Sequence, residues 1–175
     1  AYELEASLVG SEMGIRDSCL GHRFNLPLAK LSRLISHTGD GHLYLLIGLI
    51  AWALDTTTGV AFLKVGILGF IIELPIYWAL KNGFRRRRPY DRSESLTSFI
   101  QPADQYSLPS GHTAAGFLMA TLIASFYPQY AIAAYGWAAA VSASRIFLGV
   151  HFFTDIVIGA GLGIACAKLA LMLTM

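Results

Sequence analysis

Charged residues are scarce in this sequence. Asp, Glu, Lys and Arg make up 14% of the 175 residues, whereas 55% are hydrophobic and the mean hydropathy is +0.55. Soluble domains contain about 25% charged residues. A chain of this length normally forms one domain, and long apolar runs with so few charges are typical of integral membrane proteins. The composition therefore argues against an ordinary soluble domain and predicts a single membrane-embedded domain over residues 1–175.

Cysteine is rarer still, with two residues in the chain. Cys19 and Cys166 have no spacing typical of a zinc site or a disulfide framework. Cys166 lies in an apolar run, where packing is its simplest role. No basic stretch followed by an apolar core and a cleavage site is visible, so no signal peptide is predicted.

The apolar residues group into five segments that predict transmembrane helices. They are residues 41–54, 59–80, 112–127, 129–149 and 151–175. The first is short for a bilayer core of about 30 Å, which needs about 20 residues. Gly159 and Gly163 in the last segment fit small-residue packing between helices, more simply within the chain than between chains.

A further helix is predicted near the N-terminus, within residues 1–40. Leucines recur there at helical spacing, with Lys30 and Arg33 between them. This pattern is typical of an amphipathic helix, which lies either at the membrane surface or against the helix bundle. The predicted fold is an all-α bundle of five or six transmembrane helices plus this N-terminal amphipathic helix.

Three polar clusters lie between the apolar segments. They are residues 81–89, which begin with Lys81 and contain four consecutive arginines; Pro109-Ser110-Gly111-His112; and Ser144-Arg145 with His151 and Asp155. The first cluster follows the second segment, the second opens the third segment, and the third joins the last two. All three are therefore predicted to meet at one membrane face, with residues 81–109 forming a polar loop too irregular to cross lipid.

The residue types in these clusters suit holding an oxyanion and attacking it. Lys and Arg supply donors and fixed charge for phosphate. Ser110 precedes a helix-like run whose backbone N–H groups and dipole favour phosphate, and Gly111 permits close approach. His151 and Asp155 are four residues apart on one helix face, so Asp155 can orient the ring and leave the other nitrogen free to attack. His112 is a candidate general acid.

In this order, the clusters resemble the three-part signature of the type 2 phosphatidic acid phosphatase (PAP2) superfamily. Lys-x6-Arg-Pro matches Lys81, Arg88 and Pro89; Pro-Ser-Gly-His matches residues 109–112; and Ser-Arg-x5-His-x3-Asp matches Ser144, Arg145, His151 and Asp155. Two positions depart from many relatives, since Arg87 and Phe153 stand where those have proline. Neither is a catalytic position of the family.

The resemblance implies a metal-independent phosphatase without a cofactor in a bacterial inner membrane. It implies that His151 forms a phosphohistidine with Asp155 behind it, that His112 protonates the leaving group, and that water then releases phosphate. It also implies a set of phosphate-binding residues: Lys81, Arg88, Ser110, Gly111 and Arg145. The absence of a metal agrees with the motifs, in which Asp155 is the only acid.

Three further residues are candidates for the site. Arg86 is the best candidate among the other arginines for a second phosphate contact, and Ser144 belongs to the third motif. Glu73 lies two turns before Lys81 and either orients the phosphate-binding bases or is a protonated packing residue. Asp104 is expected in a solvated loop. The histidines outside the motifs are expected to be ordinary interface residues: His22, His37 and His42.

The sequence therefore predicts a lipid phosphatase for phosphatidate, phosphatidylglycerophosphate or undecaprenyl pyrophosphate. A lipid phosphotransferase with the same site is one alternative, and a non-catalytic protein that binds anionic lipid is another. The expected partners are the lipid phosphate substrate and membrane lipids, without nucleic acid, and the oligomeric state stays open. The positive-inside rule puts the basic face in the cytoplasm, whereas the resemblance implies that it faces the periplasm or exterior, which is the orientation expected here.

Overall fold

The computed structural model describes residues 25–89, 100 and 104–174, and every regular element in them is a helix. The α-helices are α1 (Asn25–His37), α2 (Gly41–Leu54), α3 (Thr58–Phe84), α4 (Gly111–Phe126), α5 (Ala131–Phe147) and α6 (Phe153–Thr174), with a 3-10 turn at Pro128–Tyr130. The predicted all-α class is confirmed for these residues. The N-terminal segment before Asn25 and much of the predicted loop after Pro89 lie outside them.

Helix α4 is the centre of the bundle because α3, α5 and α6 all pack against it. Leu118 of α4 is fully buried in a core cluster that also contains Phe62 of α3. On the α6 side the backbones almost touch, since a Cβ atom at Gly163 would lie 2.1 Å from the carbonyl oxygen of Ala114. The small-residue packing predicted for Gly159 and Gly163 is thus confirmed as a contact within the chain.

Helix α1 packs on α5 through small side chains. Ala29, Ser32 and Ser36 are buried, whereas Leu31 and Leu34 are 55% and 69% exposed. Small residues let two helix backbones approach closely. Of the two predicted positions for this helix, contact with the bundle is confirmed, and its leucines form the outer face.

Two of the described helices are long and apolar enough to cross a membrane. These are α3 with 27 residues, which continues through Pro75, and α6 with 22 residues. Helices α2 and α4 are apolar but have only 14 and 16 residues. The number of five or six membrane-spanning helices is therefore not confirmed, because length and composition single out two.

Candidate active site

The three motifs come together at one end of the bundle, where α3 ends, α4 begins, and α5 is joined to α6. The first motif reaches the third through Arg88, whose Nη1 donates to the carbonyl oxygen of Val150 at 2.8 Å. The second reaches the third through the backbone N–H of Ser110, which donates to the carbonyl oxygen of Asp155 at 3.1 Å. Both contacts join segments that are far apart in the sequence, so folding creates one site from the three motifs.

His151 and Asp155 form a buried pair at the start of α6. Nδ1 of His151 lies 3.5 Å from Oδ2 of Asp155, and both side chains are almost completely buried. Nδ1 has no hydrogen bond within the described residues, so the pair is slightly too open for a bond of ordinary length. The backbone N–H of Phe152 donates to the same carboxylate oxygen at 2.8 Å and fixes the carboxylate.

Arg86 reaches the site through Asp155. Its Nη1 lies 2.8 Å from Oδ1 of Asp155 and 2.5 Å from Oγ1 of Thr154, and its guanidinium group stacks over the ring of Phe152. The carboxylate therefore has a cation on one oxygen and a backbone donor on the other. In this arrangement Arg86 holds Asp155 in place, while the phosphate contact expected of Arg86 stays a prediction.

Lys81 and Arg88 bind a carboxylate of the chain itself. Nζ of Lys81 lies 2.5 Å from Oδ2 of Asp104, and the guanidinium group of Arg88 is ion-paired with the other oxygen. Tyr77 completes the cluster, because its hydroxyl donates to Asp104 at 2.7 Å and accepts from Lys81 at 2.5 Å. Asp104 does lie in a loop with its side chain 38% exposed, but the sequence did not predict that its carboxylate binds two cations of the first motif.

The surroundings of Asp104 favour its charged form. Burial acts to raise its pKa, but hydrogen bonds from Lys81 and Tyr77 and the charges of Lys81 and Arg88 lower the pKa of Asp104 to about 2. Because this folded-state pKa is below the ordinary value of 3.8, the contact adds to stability above that pH. The contribution disappears as the pH falls toward 2. At neutral pH an anion therefore occupies the cations of the first motif.

The second motif forms the start of α4. Ser110 precedes the helix and is fully buried, and its hydroxyl oxygen accepts a hydrogen bond from Thr113 at 3.0 Å. Gly111 lies against the ring of Tyr77, where a Cβ atom would come within 3.1 Å. His112 follows in the first turn, partly exposed, and its Nε2 lies 2.9 Å from Oδ1 of Asp40. The helix start thus carries the second histidine on a tightly packed backbone.

The remaining residues of the third motif lie in the last turn of α5. Arg145 is buried, and its Nη1 donates to Oγ of Ser36 on α1 at 2.6 Å. Its buried Nε has no partner within the described residues. Ser144 donates to the carbonyl oxygen of Val141 in its own helix at 2.5 Å, so it supports the helix end. Arg145 therefore retains a buried donor that an anion can use.

Glu73 lies away from the cations. It is 2% exposed on α3, and the contacts of Lys81 within the described residues are with Tyr77 and Asp104. Two helical turns from Lys81 correspond to about 12 Å along the axis, too far for direct contact. The structure thus gives no support to the expected orienting role of Glu73 and leaves it as a buried packing residue.

Sequence patterns missed three residues near the site. Tyr77 was detectable in principle, because it precedes Lys81 by four residues on the same helix face. Asp104 and Asp40 lie in loops, where no periodicity predicts which groups they contact. Within the described residues, no three His, Cys, Asp or Glu side chains are grouped as a metal site requires. Chemically, the arrangement combines an imidazole with a buried carboxylate, a second imidazole and several cations.

The family model described as the PAP2 superfamily matches residues 45–174. Among curated proteins, the chain is 31% identical over 140 residues to "Probable lipid phosphate phosphatase beta" of Arabidopsis thaliana, covering 63% of this chain and 65% of that protein. It is 27% identical over 130 residues to "Bacitracin transport permease protein BcrC" of Bacillus licheniformis, covering 71% and 62%. The chain thus spans less than two thirds of the length of these curated relatives.

Two solved structures resemble the fold closely. LpxE of Aquifex aeolicus superimposes with a TM-score of 0.80 at 24% identity, over 91% of this chain and 94% of that chain. The structure titled "Crystal structure of the first transmembrane PAP2 type phosphatidylglycerolphosphate phosphatase from Bacillus subtilis" superimposes with a TM-score of 0.76 at 23% identity. The superposition covers 95% of this chain and 86% of that chain. At these identities the likeness is evidence of fold. Since the family model covers most of the sequence, the chain belongs to the PAP2 superfamily.

Proposed function

We propose that this chain is an integral membrane phosphatase that removes phosphate from a lipid phosphate monoester or a lipid diphosphate without a metal ion. The observation that carries the proposal is the contact of all three motifs around the buried pair of His151 and Asp155. The names of two similar proteins, a lipid phosphate phosphatase and a phosphatidylglycerolphosphate phosphatase, support lipid phosphates as the substrate class.

In the proposed mechanism, Nε2 of His151 attacks phosphorus while Asp155 orients the ring through Nδ1. The P–O bond to the lipid breaks, and the leaving oxygen takes a proton from His112. Water, activated by the now neutral His112, then attacks the phosphohistidine and releases phosphate. Burial lowers the pKa of His151 to about 4 although Asp155 acts to raise it, so this imidazole is neutral at pH 7, as a nucleophile needs.

Phosphate binding in this mechanism exchanges one anion for another. Lys81 and Arg88 bind the carboxylate of Asp104 in the free protein. A substrate phosphate competes with that carboxylate for the same donors and offers more charge to them. The buried Nε of Arg145 supplies a further donor. Ser110 and Gly111 bring the start of α4 beside these cations, where the helix dipole also favours an anion.

In this proposal helices α2 to α6 cross the membrane, and α1 stays packed against α5. One face of α3 supports this arrangement, because Ile67, Ile71, Leu74 and Trp78 are 50–69% exposed at helical spacing. The whole of residues 1–175 then serves one activity, and the site faces the periplasm or exterior. Short helices such as α2 cross the bilayer with local thinning.

An apolar groove suits the hydrocarbon chain of the substrate. It has a volume of about 540 Å³ and ends beside His112. Its lining is mostly aromatic and aliphatic: Tyr44, Phe62, Leu63, Phe70, Leu74 and Met119. A lipid chain bound in this groove would bring its head group to the cations. Because the groove binds only the hydrocarbon chain, we expect a preference for lipid over soluble phosphate esters.

The test is phosphate release by detergent-purified protein with EDTA present. Phosphatidate, phosphatidylglycerophosphate, undecaprenyl pyrophosphate and a soluble sugar phosphate are offered separately. We expect release from at least one lipid, at a kcat/KM at least about 100-fold above that for the sugar phosphate, because the chain contributes binding energy. Intact cells given a short-chain form of the active lipid test the outward orientation.

Three outcomes would contradict the proposal. Release from none of the compounds argues for a binding role, and release from the sugar phosphate alone argues against a lipid substrate. Transfer of labelled phosphate to a second lipid in place of water identifies a phosphotransferase. Asp55→Asn is a suitable control variant, because this loop carboxylate lies at the other end of α2 and accepts hydrogen bonds from Thr57 and Thr58.

Asp104→Asn is expected to tighten the binding of inorganic phosphate by about tenfold, equivalent to ~1.4 kcal/mol. The substitution removes the negative charge that competes for Lys81 and Arg88 but keeps an oxygen for their hydrogen bonds. The inhibition constant of phosphate measures the effect. In phosphate-free buffer the variant should melt at a lower temperature than wild type, and added phosphate should raise its Tm more.

The matched Asp55→Asn variant should leave the phosphate inhibition constant unchanged. Unchanged or weaker phosphate binding in Asp104→Asn would show that the carboxylate does not compete for the phosphate site. In that case Asp104 serves to position Lys81 and Arg88, and the variant should lose activity with no gain in phosphate affinity.

A further inference from the structure

Asp40, in the short loop between α1 and α2, contacts two histidines. Its Oδ1 lies 2.9 Å from Nε2 of His112, and its Oδ2 contacts Nδ1 of His37. Asp40 lies outside the three motifs and 72 residues before His112. Since a carboxylate can only accept, Nε2 of His112 carries the hydrogen of this bond.

The loop that carries Asp40 is held on several sides. The ring N–H of Trp137 on α5 donates to Oγ1 of Thr38 at 2.9 Å, and the hydroxyl of Tyr44 on α2 donates to the carbonyl oxygen of Gly39 at the same distance. Gly39 packs so tightly that a Cβ atom there would lie 2.7 Å from Cγ1 of Val141 and 3.5 Å from the ring of His112. The contact between Asp40 and His112 is therefore built into the packing of three helices.

The two histidines of the site have carboxylates on opposite ring nitrogens. Asp155 faces Nδ1 of His151 and leaves Nε2 for attack. Asp40 binds Nε2 of His112 and leaves Nδ1 as the nitrogen that can exchange a proton with a ligand. A carboxylate on one ring nitrogen fixes the tautomer and favours the protonated ring, which is the form a proton donor needs.

We propose that Asp40 is a positioning residue for His112, with the carboxylate holding Nε2 so that Nδ1 points its proton toward the leaving oxygen. This inference rests on the proposed function of the site. As the bond between His151 and phosphorus forms, the P–O bond to the lipid breaks, and the leaving oxygen takes the proton from Nδ1 of His112. The now neutral His112 then takes a proton from the attacking water, the N–P bond breaks with its electrons returning to His151, and phosphate departs.

In the first half-reaction, up to release of the alcohol, a residue that assists proton donation affects only leaving groups that need a proton. An alkyl phosphate releases a strongly basic alkoxide and depends on the acid, whereas a nitrophenyl phosphate releases a stable phenolate and does not. A residue that only holds the loop between α1 and α2 affects both substrates alike. This difference separates the positioning role of Asp40 from a purely structural one.

The experiment compares wild type and Asp40→Asn on a long-chain alkyl phosphate and on a nitrophenyl phosphate with a chain of the same length. We expect kcat/KM for the alkyl phosphate, which reports the steps through release of the alcohol, to fall by about 100-fold, the usual size of a general-acid contribution. The kcat/KM for the nitrophenyl ester should stay near wild type, whereas kcat for both esters can fall because His112 also activates the water of the second step. Asp40→Glu, which restores the carboxylate, should recover part of the lost rate, and Asp55→Asn should behave as wild type.

Each other result overturns a specific part of the inference. Equal loss of kcat/KM on both esters means that Asp40 supports the loop and not the proton transfer, and full activity on both means that it has neither role. If Asp40→Asn does not fold, the same comparison is made in Asp40→Glu, where a loss common to both esters again rejects the assignment. Wild type that hydrolyses neither ester refutes the proposed function itself.

Discussion

His151→Ala is expected to lower phosphate release from the active lipid by about 10⁴-fold or more, as when a catalytic nucleophile is removed from other enzymes. His151 is 2% exposed and is the histidine that adjoins the buried Asp155. Without the imidazole, no side chain at this position can form the covalent intermediate. The cations remain, so binding of inorganic phosphate should change little.

Labelled substrate tests the intermediate directly. Wild type quenched during turnover should carry acid-labile phosphate on a histidine, and His151→Ala should carry none. His42→Ala is the matched control, because His42 is exposed at the start of α2 and should leave both turnover and labelling intact. Turnover that survives in His151→Ala would mean that another group is the nucleophile.

Asp155→Asn is expected to lower kcat by about 10³- to 10⁴-fold, the loss seen when the carboxylate behind a catalytic histidine becomes an amide. Asp155 is fully buried, with Arg86 on one oxygen and the N–H of Phe152 on the other. An amide presents an N–H to one of these partners and cannot hold the ring of His151 in the same tautomer. KM should change little, since the cations that bind phosphate are intact.

The same substitution should also weaken the fold. The substitution removes the carboxylate from the ion pair with Arg86, whose side chain is 11% exposed and keeps its hydrogen bond to Thr154, so we expect a lower Tm. Thermal melting with and without inorganic phosphate separates this loss from the loss of catalysis. If the variant is stable when saturated with phosphate and its kcat equals that of wild type, Asp155 has no part in the reaction.

Much of the site was predictable because its residues lie at helix ends. The clusters at Lys81–Pro89, Pro109–His112 and Ser144–Asp155 separate apolar segments, and chain reversal through the bundle brings such ends together. The four-residue spacing also predicted the pairing of His151 with Asp155, but the expectation that both lie on one helix face was wrong, because α6 starts at Phe153 and His151 precedes it. These inferences needed only local sequence and the count of segments between the clusters.

The contacts made by carboxylates in loops could not be predicted from sequence patterns. Asp104 was expected in solvent but binds Lys81 and Arg88, and Asp40 was not singled out although it contacts His112. Loop residues have no periodicity, and their contacts depend on how separate helices pack. The position of α1 illustrates the same limit, because the small residue Ser32, and not the leucines, faces the bundle.

Most of the apolar groove lies on different helices from the reacting groups, although His112 lines its end. Helices α2 and α3 supply most of the groove lining, whereas His112 and Asp155 lie on α4 and α6, whose backbones meet at Gly163. For a phosphatase of this architecture, side chains of α2 and α3 can change to fit another lipid while the reacting groups keep their positions. Such a lineage can acquire a new substrate through a series of single substitutions, each leaving a working enzyme.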